Sequence, residues 1–160
     1  MNRRLLLSGL LGVLVLSGCA VSPSLPTDTD TAQWFGRLAI SVSTDPPQHF
    51  QSGFELKGGP QQGEIRLISP LGQLLAVARW SPEGAELERG NQVQRHASLD
   101  DLTRALTGST LPMVQLFDWL QGRNTSLNDW EADLSRHGDG RITARRLQPV
   151  PAVVIRIALQ

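Results

Sequence analysis

From Trp34 onward, apolar residues recur at every second position in short runs, each closed by proline or glycine. A period of two describes β-strands with one covered face and excludes a helical bundle. In Arg37–Ser43, Leu38, Ile40 and Val42 share one face, and Arg37, Ala39, Ser41 and Ser43 take the other. Asp45-Pro46-Pro47 ends that run, after which Phe50–Lys57 sets Phe54 and Leu56 opposite Glu55 and Lys57. Beyond a Gly58-Gly59-Pro60 turn, Glu64–Ser69 alternates again with Ile65 and Leu67 inward. Ser69-Pro70-Leu71-Gly72 has proline at the second position of a turn. Leu74–Trp80 follows, with Leu74, Ala76, Ala78 and Trp80 facing in. Short strands at Ala85–Glu88 and Gln92–Arg95 complete the first half. Strands return at Trp130–Ser135, Ile142–Leu147 and Val153–Leu159, the first two separated by a Gly138-Asp139-Gly140 turn. Successive strands joined by short turns make an antiparallel meander.

Two stretches break the period. Ser98-Leu99-Asp100-Asp101 approximates a capping box, after which Leu99, Leu102 and Leu106 mark one helical face and Gly108 ends it. Pro112 suits the first turn of a second helix, in which Met113, Leu116, Phe117 and Leu120 fall at i, i+3, i+4 and i+7 before Gly122. Helices this short are marginal alone and must lie against something apolar. The fold expected over residues 34–160 is therefore mainly β with α: a curved antiparallel sheet covered on one side by two short helices. Alternation leaves open whether the covered side is a filled core or an apolar cavity.

The N-terminus has a different grammar. Arg3 and Arg4 precede a largely apolar run from Leu5 to Leu16, and Ser17-Gly18-Cys19 follows. The run is too short to span a bilayer, which takes about 20 residues, and it reads as a bacterial secretory signal. Leu16-Ser17-Gly18-Cys19 resembles a lipobox, in which the cysteine becomes the acylated N-terminus. Residues 1–18 are then a lipoprotein signal peptide, and 19–33, small and polar with two prolines at Pro23 and Pro26, a flexible tether. Ala20, rather than Asp, after the cysteine implies sorting to the outer membrane on its periplasmic side.

Composition removes most alternatives. The 15 Lys/Arg balance the 15 Asp/Glu, and without Arg3 and Arg4 the net charge is −2, which does not suit a nucleic-acid binder. The single cysteine excludes an internal disulfide and a cysteine metal cluster. His49, His96 and His137 lack metal-ligand spacing and read as exposed loop residues. Neither a nucleophile elbow nor a phosphate loop is present. The expectation is a monomeric binding protein, without enzymatic activity, cofactor or metal.

The order Trp34-Phe35-Gly36-Arg37-Leu38-Ala39-Ile40, Gly53-Phe54 and Ile68-Ser69-Pro70-Leu71-Gly72-Gln73 resembles the LolB family of outer-membrane lipoprotein receptors. The likeness continues through Leu106-Thr107-Gly108, Leu111-Pro112 and Leu116-Phe117-Asp118-Trp119-Leu120-Gln121-Gly122. It covers about 34–125 well and the tail loosely; Trp130–Gln160 is short beside many members, which implies a missing final element and a more open cavity.

The resemblance implies a half-barrel with a helical lid that accepts lipoproteins from the periplasmic carrier LolA. Their acyl chains are then placed in the inner leaflet of the outer membrane. Leu38, Ile40, Phe54, Leu56, Ile65 and Leu67 are the candidate cavity lining. Met113, Leu116, Phe117 and Leu120 form the lid, and Trp80 and Trp119 either line the cavity or belong to plain core. In the family the leucine of the Pro70-Leu71-Gly72 turn projects into solvent and delivers cargo into membrane lipid. The competing expectation is a structural or assembly lipoprotein that binds a protein partner through its sheet edge.

Overall fold

The structure, a computed structural model, describes residues 32–107, 110–127 and 129–160. The expected signal peptide, Cys19, nearly all of the tether and Gly108 lie outside the described residues. Strand β1 (Gln33–Val42) is followed by β2 (Gln48–Gly58), β3 (Gly63–Ile68), β4 (Leu74–Ser81), β5 (Gly84–Arg89) and β6 (Gln92–His96). Then come α1 (Leu99–Thr107), α2 (Met113–Leu120), β7 (Glu131–Asp133), β8 (Arg141–Arg146) and β9 (Val153–Leu159). All pairings are antiparallel, in the order β6-β5-β4-β3-β2-β1-β9-β8-β7. The first six strands meander outward from β1, and β9 returns to its free side, so the two halves share one continuous sheet. It stays open between β6 and β7: a curved sheet, a half-barrel rather than a barrel.

Register fixes which residues share a face. Ile40 lies between Phe50 and Ile155, Phe54 opposite Leu67, and Leu56 opposite Ile65. Ile40, Phe54, Leu56, Ile65, Leu67 and Ile155 join the inner faces of both helices in one buried cluster, whereas Phe50 stays exposed. On the outer face, Glu55–Arg66, Glu64–Arg79–Glu88 and Glu86–Arg95 form cross-strand ion pairs of 2.8–3.5 Å. Solvated as they are, such pairs fix register more than they stabilise.

Register also fixes the two ends of the sheet. β1 begins with Gln33 at one end, while the loops after β1, β3 and β8 all lie at the other.

The capping box forms: the Ser98 hydroxyl accepts from the Asp101 amide at 3.1 Å and donates to the Asp101 carboxylate at 2.9 Å. α1 then packs on β5 and β6. Pro112 precedes α2 rather than opening it, and its carbonyl accepts from Leu116 at 2.8 Å. The Gly138-Asp139-Gly140 turn is one 3₁₀ turn over His137–Asp139. The strand expected over Trp130–Ser135 keeps three residues, Glu131–Asp133, with Trp130 bridging back to Leu127.

One inward assignment is corrected. Leu74 is 52% exposed, because pairing shifts register between Leu67 and Ile68 and β5 does not extend alongside Leu74–Ala76.

Candidate functional site

The apolar inner face and its lid make the site. Ile40, Phe54, Leu56, Trp80, Phe117, Trp119 and Leu120 are buried there, with Leu38, Ile65, Leu67, Met113 and Leu116 partly buried against them. Five elements, β1 to β4 and α2, thus bring every cavity and lid candidate into one cluster. In this conformation the lid side chains fill the space. Phe117 inserts between Trp34, edge-on at 5.4 Å and 69°, and Trp80 at 6.5 Å, while Trp119 lies 6.2 Å from Trp130. Such aromatic pairs add about 0.5–1.5 kcal/mol each beyond the burial of their area.

Two of the buried indoles are tied down by their one polar atom. Trp80 Nε1 donates to Gly59 O at 3.0 Å, and Trp119 Nε1 to Thr125 O at 3.1 Å. Gly63 makes room for the first: a Cβ there would stand 2.5 Å from the Trp80 ring. The end of α2 is held twice more. Gly122, at φ +76°, turns the chain, and Asp118 takes hydrogen bonds from Arg123 and from Thr125 Oγ1 at 2.9 Å. Those bonds, Arg123 foremost, hold the Asp118 carboxyl below the usual carboxylate range.

The histidines do not all behave as exposed loop residues. His49 is exposed, with Nδ1 3.2 Å from Ser41 Oγ. His137 is half-buried and donates from Nε2 to Leu120 O at 3.1 Å, because it sits in the 3₁₀ turn under the end of α2. His96 closes β6 half-buried, with Nε2 enclosed and unbonded. No group of three or more His, Cys, Asp or Glu positioned to hold a metal ion occurs among the described residues.

Two hollows flank the core. The wider, about 670 Å³, has a mixed lining, with Arg37, Gln51, Arg141 and Arg156 beside Leu38, Ile142 and Ile157. The narrower, about 390 Å³, lies beside the lid among Leu111, Met113, Val114, Leu127, Trp130 and Arg146.

The Pro70-Leu71-Gly72 turn stands apart from this core. Gly72 donates to Ser69 O at 2.9 Å, Ser69 N to Gln73 O at 2.8 Å, and the Ser69 hydroxyl accepts from the amides of Leu71 and Gln73. This is a three-residue hairpin loop with its last residue left-handed, and Gly72 has φ +79°. Leu71 is 86% exposed, and Leu74 and Leu75 continue the apolar tip behind it. Leu71, Leu74 and Leu75 together make an exposed apolar tip at this end of the sheet.

Sequence reasoning missed Arg146, which is 7% exposed on the inner face of β8. The signal was present: Ile142, Ala144 and Arg146 share one phase of the alternation. It also missed Leu147 and Val150, exposed in the loop after β8 at the same end of the sheet as Leu71.

The family model of outer membrane lipoprotein LolB matches residues 32–148. The outer-membrane lipoprotein LolB of Cupriavidus necator is 37% identical over 131 residues, which cover 78% of this chain and 66% of that protein. The protein of that name from Vibrio cholerae is 31% identical over 144 residues, covering 80% and 67%. That from Bordetella petrii is 28% identical over 172 residues, covering 91% and 86%. The chain spans just under two thirds of the length of the Cupriavidus necator relative.

Proposed function

The chain belongs to the LolB family of outer-membrane lipoproteins, and on that premise we propose that it is a lipid-anchored receptor for other lipoproteins. Acylated at Cys19, it is held on the periplasmic side of the outer membrane. It accepts lipoproteins from a LolA-like carrier by binding their acyl chains at the inner face of the sheet, then inserts them into the inner leaflet.

The observation that carries this reading is the apolar face covered by two short helices. A triacylated cysteine holds about forty methylenes, whose exposure costs on the order of 30 kcal/mol at about 0.8 kcal/mol each, so the chains must move between apolar surroundings without entering water. Phe117, Trp119 and Leu120 occupy that face in this structure, and acyl chains would replace them as the lid lifts. Met113 at the lid's edge can adapt to chains of differing shape. Leu71, outside the core, is free to touch the bilayer while the cavity is loaded.

The test is transfer of a fluorescent acylated peptide from a LolA-like carrier to this protein and then to phospholipid vesicles. Binding of the acyl group and its delivery to the vesicles are expected. A protein that binds neither acylated peptide nor hydrocarbon dye overturns the reading. In the parent cell, depletion is expected to leave lipoproteins accumulating in the periplasm.

A further inference from the structure

Arg146 is the one charged residue among the buried ones of the described structure, and it sits on the inner face of the sheet, where Ser52 is also a buried polar side chain. Its Nη2 donates to Pro151 O at 3.0 Å, its guanidinium lies 5.9 Å from the centre of the Trp130 ring, and its Nε is enclosed with no partner. None of the ion pairs among the described residues includes it. Arginine stays protonated in proteins. A buried cation without a carboxylate costs several kcal/mol, and an apolar side chain of similar volume would make a better core.

The neighbourhood says what such a group can serve. Arg146 borders the hollow of about 390 Å³ beside the lid, whose apolar wall is Leu99, Leu111, Met113, Val114, Leu127 and Trp130. Asp100 and Asp129 also line that hollow, and their negative charge disfavours an anionic ligand. What fits is a neutral acceptor attached to hydrocarbon. We infer that Arg146 binds the ester carbonyls where acyl chains join their glyceryl group, and so sets how deep the chains sit beneath the lid. This rests on the acyl-binding reading above.

The shared chemistry is a glyceryl acyl ester, carried by an acylated cysteine or by a phospholipid. Three probes separate the possibilities: a synthetic peptide with a diacylglyceryl cysteine, its dialkyl ether analogue, and a hydrocarbon-tailed naphthylamine dye. The wild-type protein should bind the ester peptide about tenfold more tightly than the ether, the scale of one charge-assisted hydrogen bond. Arg146→Met should bind both as weakly as the wild type binds the ether, with dye affinity unchanged and a melting temperature no lower. Arg146→Lys should restore part of the preference, which excludes a folding defect.

Monomeric dihexanoyl phosphatidylcholine, which has no net charge, tested on the same proteins, identifies the source. An Arg146 effect confined to the peptide assigns the cargo ester, and an effect on both assigns glyceryl esters in general. Equal wild-type affinity for ester and ether, or a preference that survives in Arg146→Met, overturns the inference while dye binding still upholds the acyl site. Loss of dye and peptide binding together in the wild type removes both.

Discussion

His137 donates its ring Nε2 proton to the carbonyl of Leu120 at 3.1 Å, fastening the last turn of α2 to the 3₁₀ turn that leads into β8. The carbonyls at a helix C-terminus have no partner of their own within the helix, and here a side chain from another element supplies one. His137→Ala should cost about 1 kcal/mol of stability. Amide exchange over Phe117–Gly122 should quicken while that of β1 and β9 holds. Uniform exchange across the molecule would show that α2 is not separately fastened.

Phe117 is the wedge between sheet and lid, touching Trp34 and Trp80 at once. Phe117→Ala should lower stability by about 3–5 kcal/mol, as for other large-to-small changes of a buried aromatic. On the proposed binding mode, in which ligand and side chain take the same space, it should also raise affinity for a hydrocarbon dye. Unchanged dye affinity despite lower stability would separate the ligand's place from that of the lid.

Leu71→Glu alters a side chain that contacts little, so stability should shift by less than about 0.5 kcal/mol. Acceptance of an acylated peptide should persist, while its passage into vesicles should fail. Loss of acceptance would instead place Leu71 in the loading step.

Asp118 couples the lid to pH. Its carboxyl lies below the usual carboxylate range, chiefly through Arg123 and then Thr125, so the folded state favours the ionised form. That contribution is fully present above the unfolded value, about 3.9, and is lost as pH falls through the lower folded value. The melting temperature of the wild type should therefore fall more steeply below pH 4 than that of Asp118→Asn. Parallel curves would show that the cluster does not stabilise the folded state.

The strands were legible because each buries one face, and burial writes a period of two into the residues. The capping box at Ser98 and the loop at Ser69–Gln73 were legible because each is built from local hydrogen bonds by a few neighbouring residues. Leu74 was misplaced for the opposite reason. A register shift in β3 and the length of β5 decide its exposure, and neither is written in residues 74–80. Arg146 was overlooked because an arginine at an inward phase contradicts ordinary burial, and only the packing of Trp130 and Pro151 around it makes the position tenable. His137 likewise gains its partner from a residue 17 positions away. Where a residue's neighbours come from distant parts of the chain, the local pattern is silent.

The opposed ends of the sheet have a mechanical consequence. The chain joins β1 at Gln33, whereas the Leu71 loop lies about seven residues further along that strand's direction, roughly 23 Å away at about 3.3 Å per residue. On the proposed reading, with Cys19 as the anchor and Leu71 as the tip that meets the same bilayer, the segment between Cys19 and the fold acts as a ruler. Fourteen residues, Cys19–Ala32, reach at most about 50 Å, enough to double back along the sheet, whereas six would reach only about 20 Å. The number of residues before the fold thus decides which end of the molecule the bilayer meets.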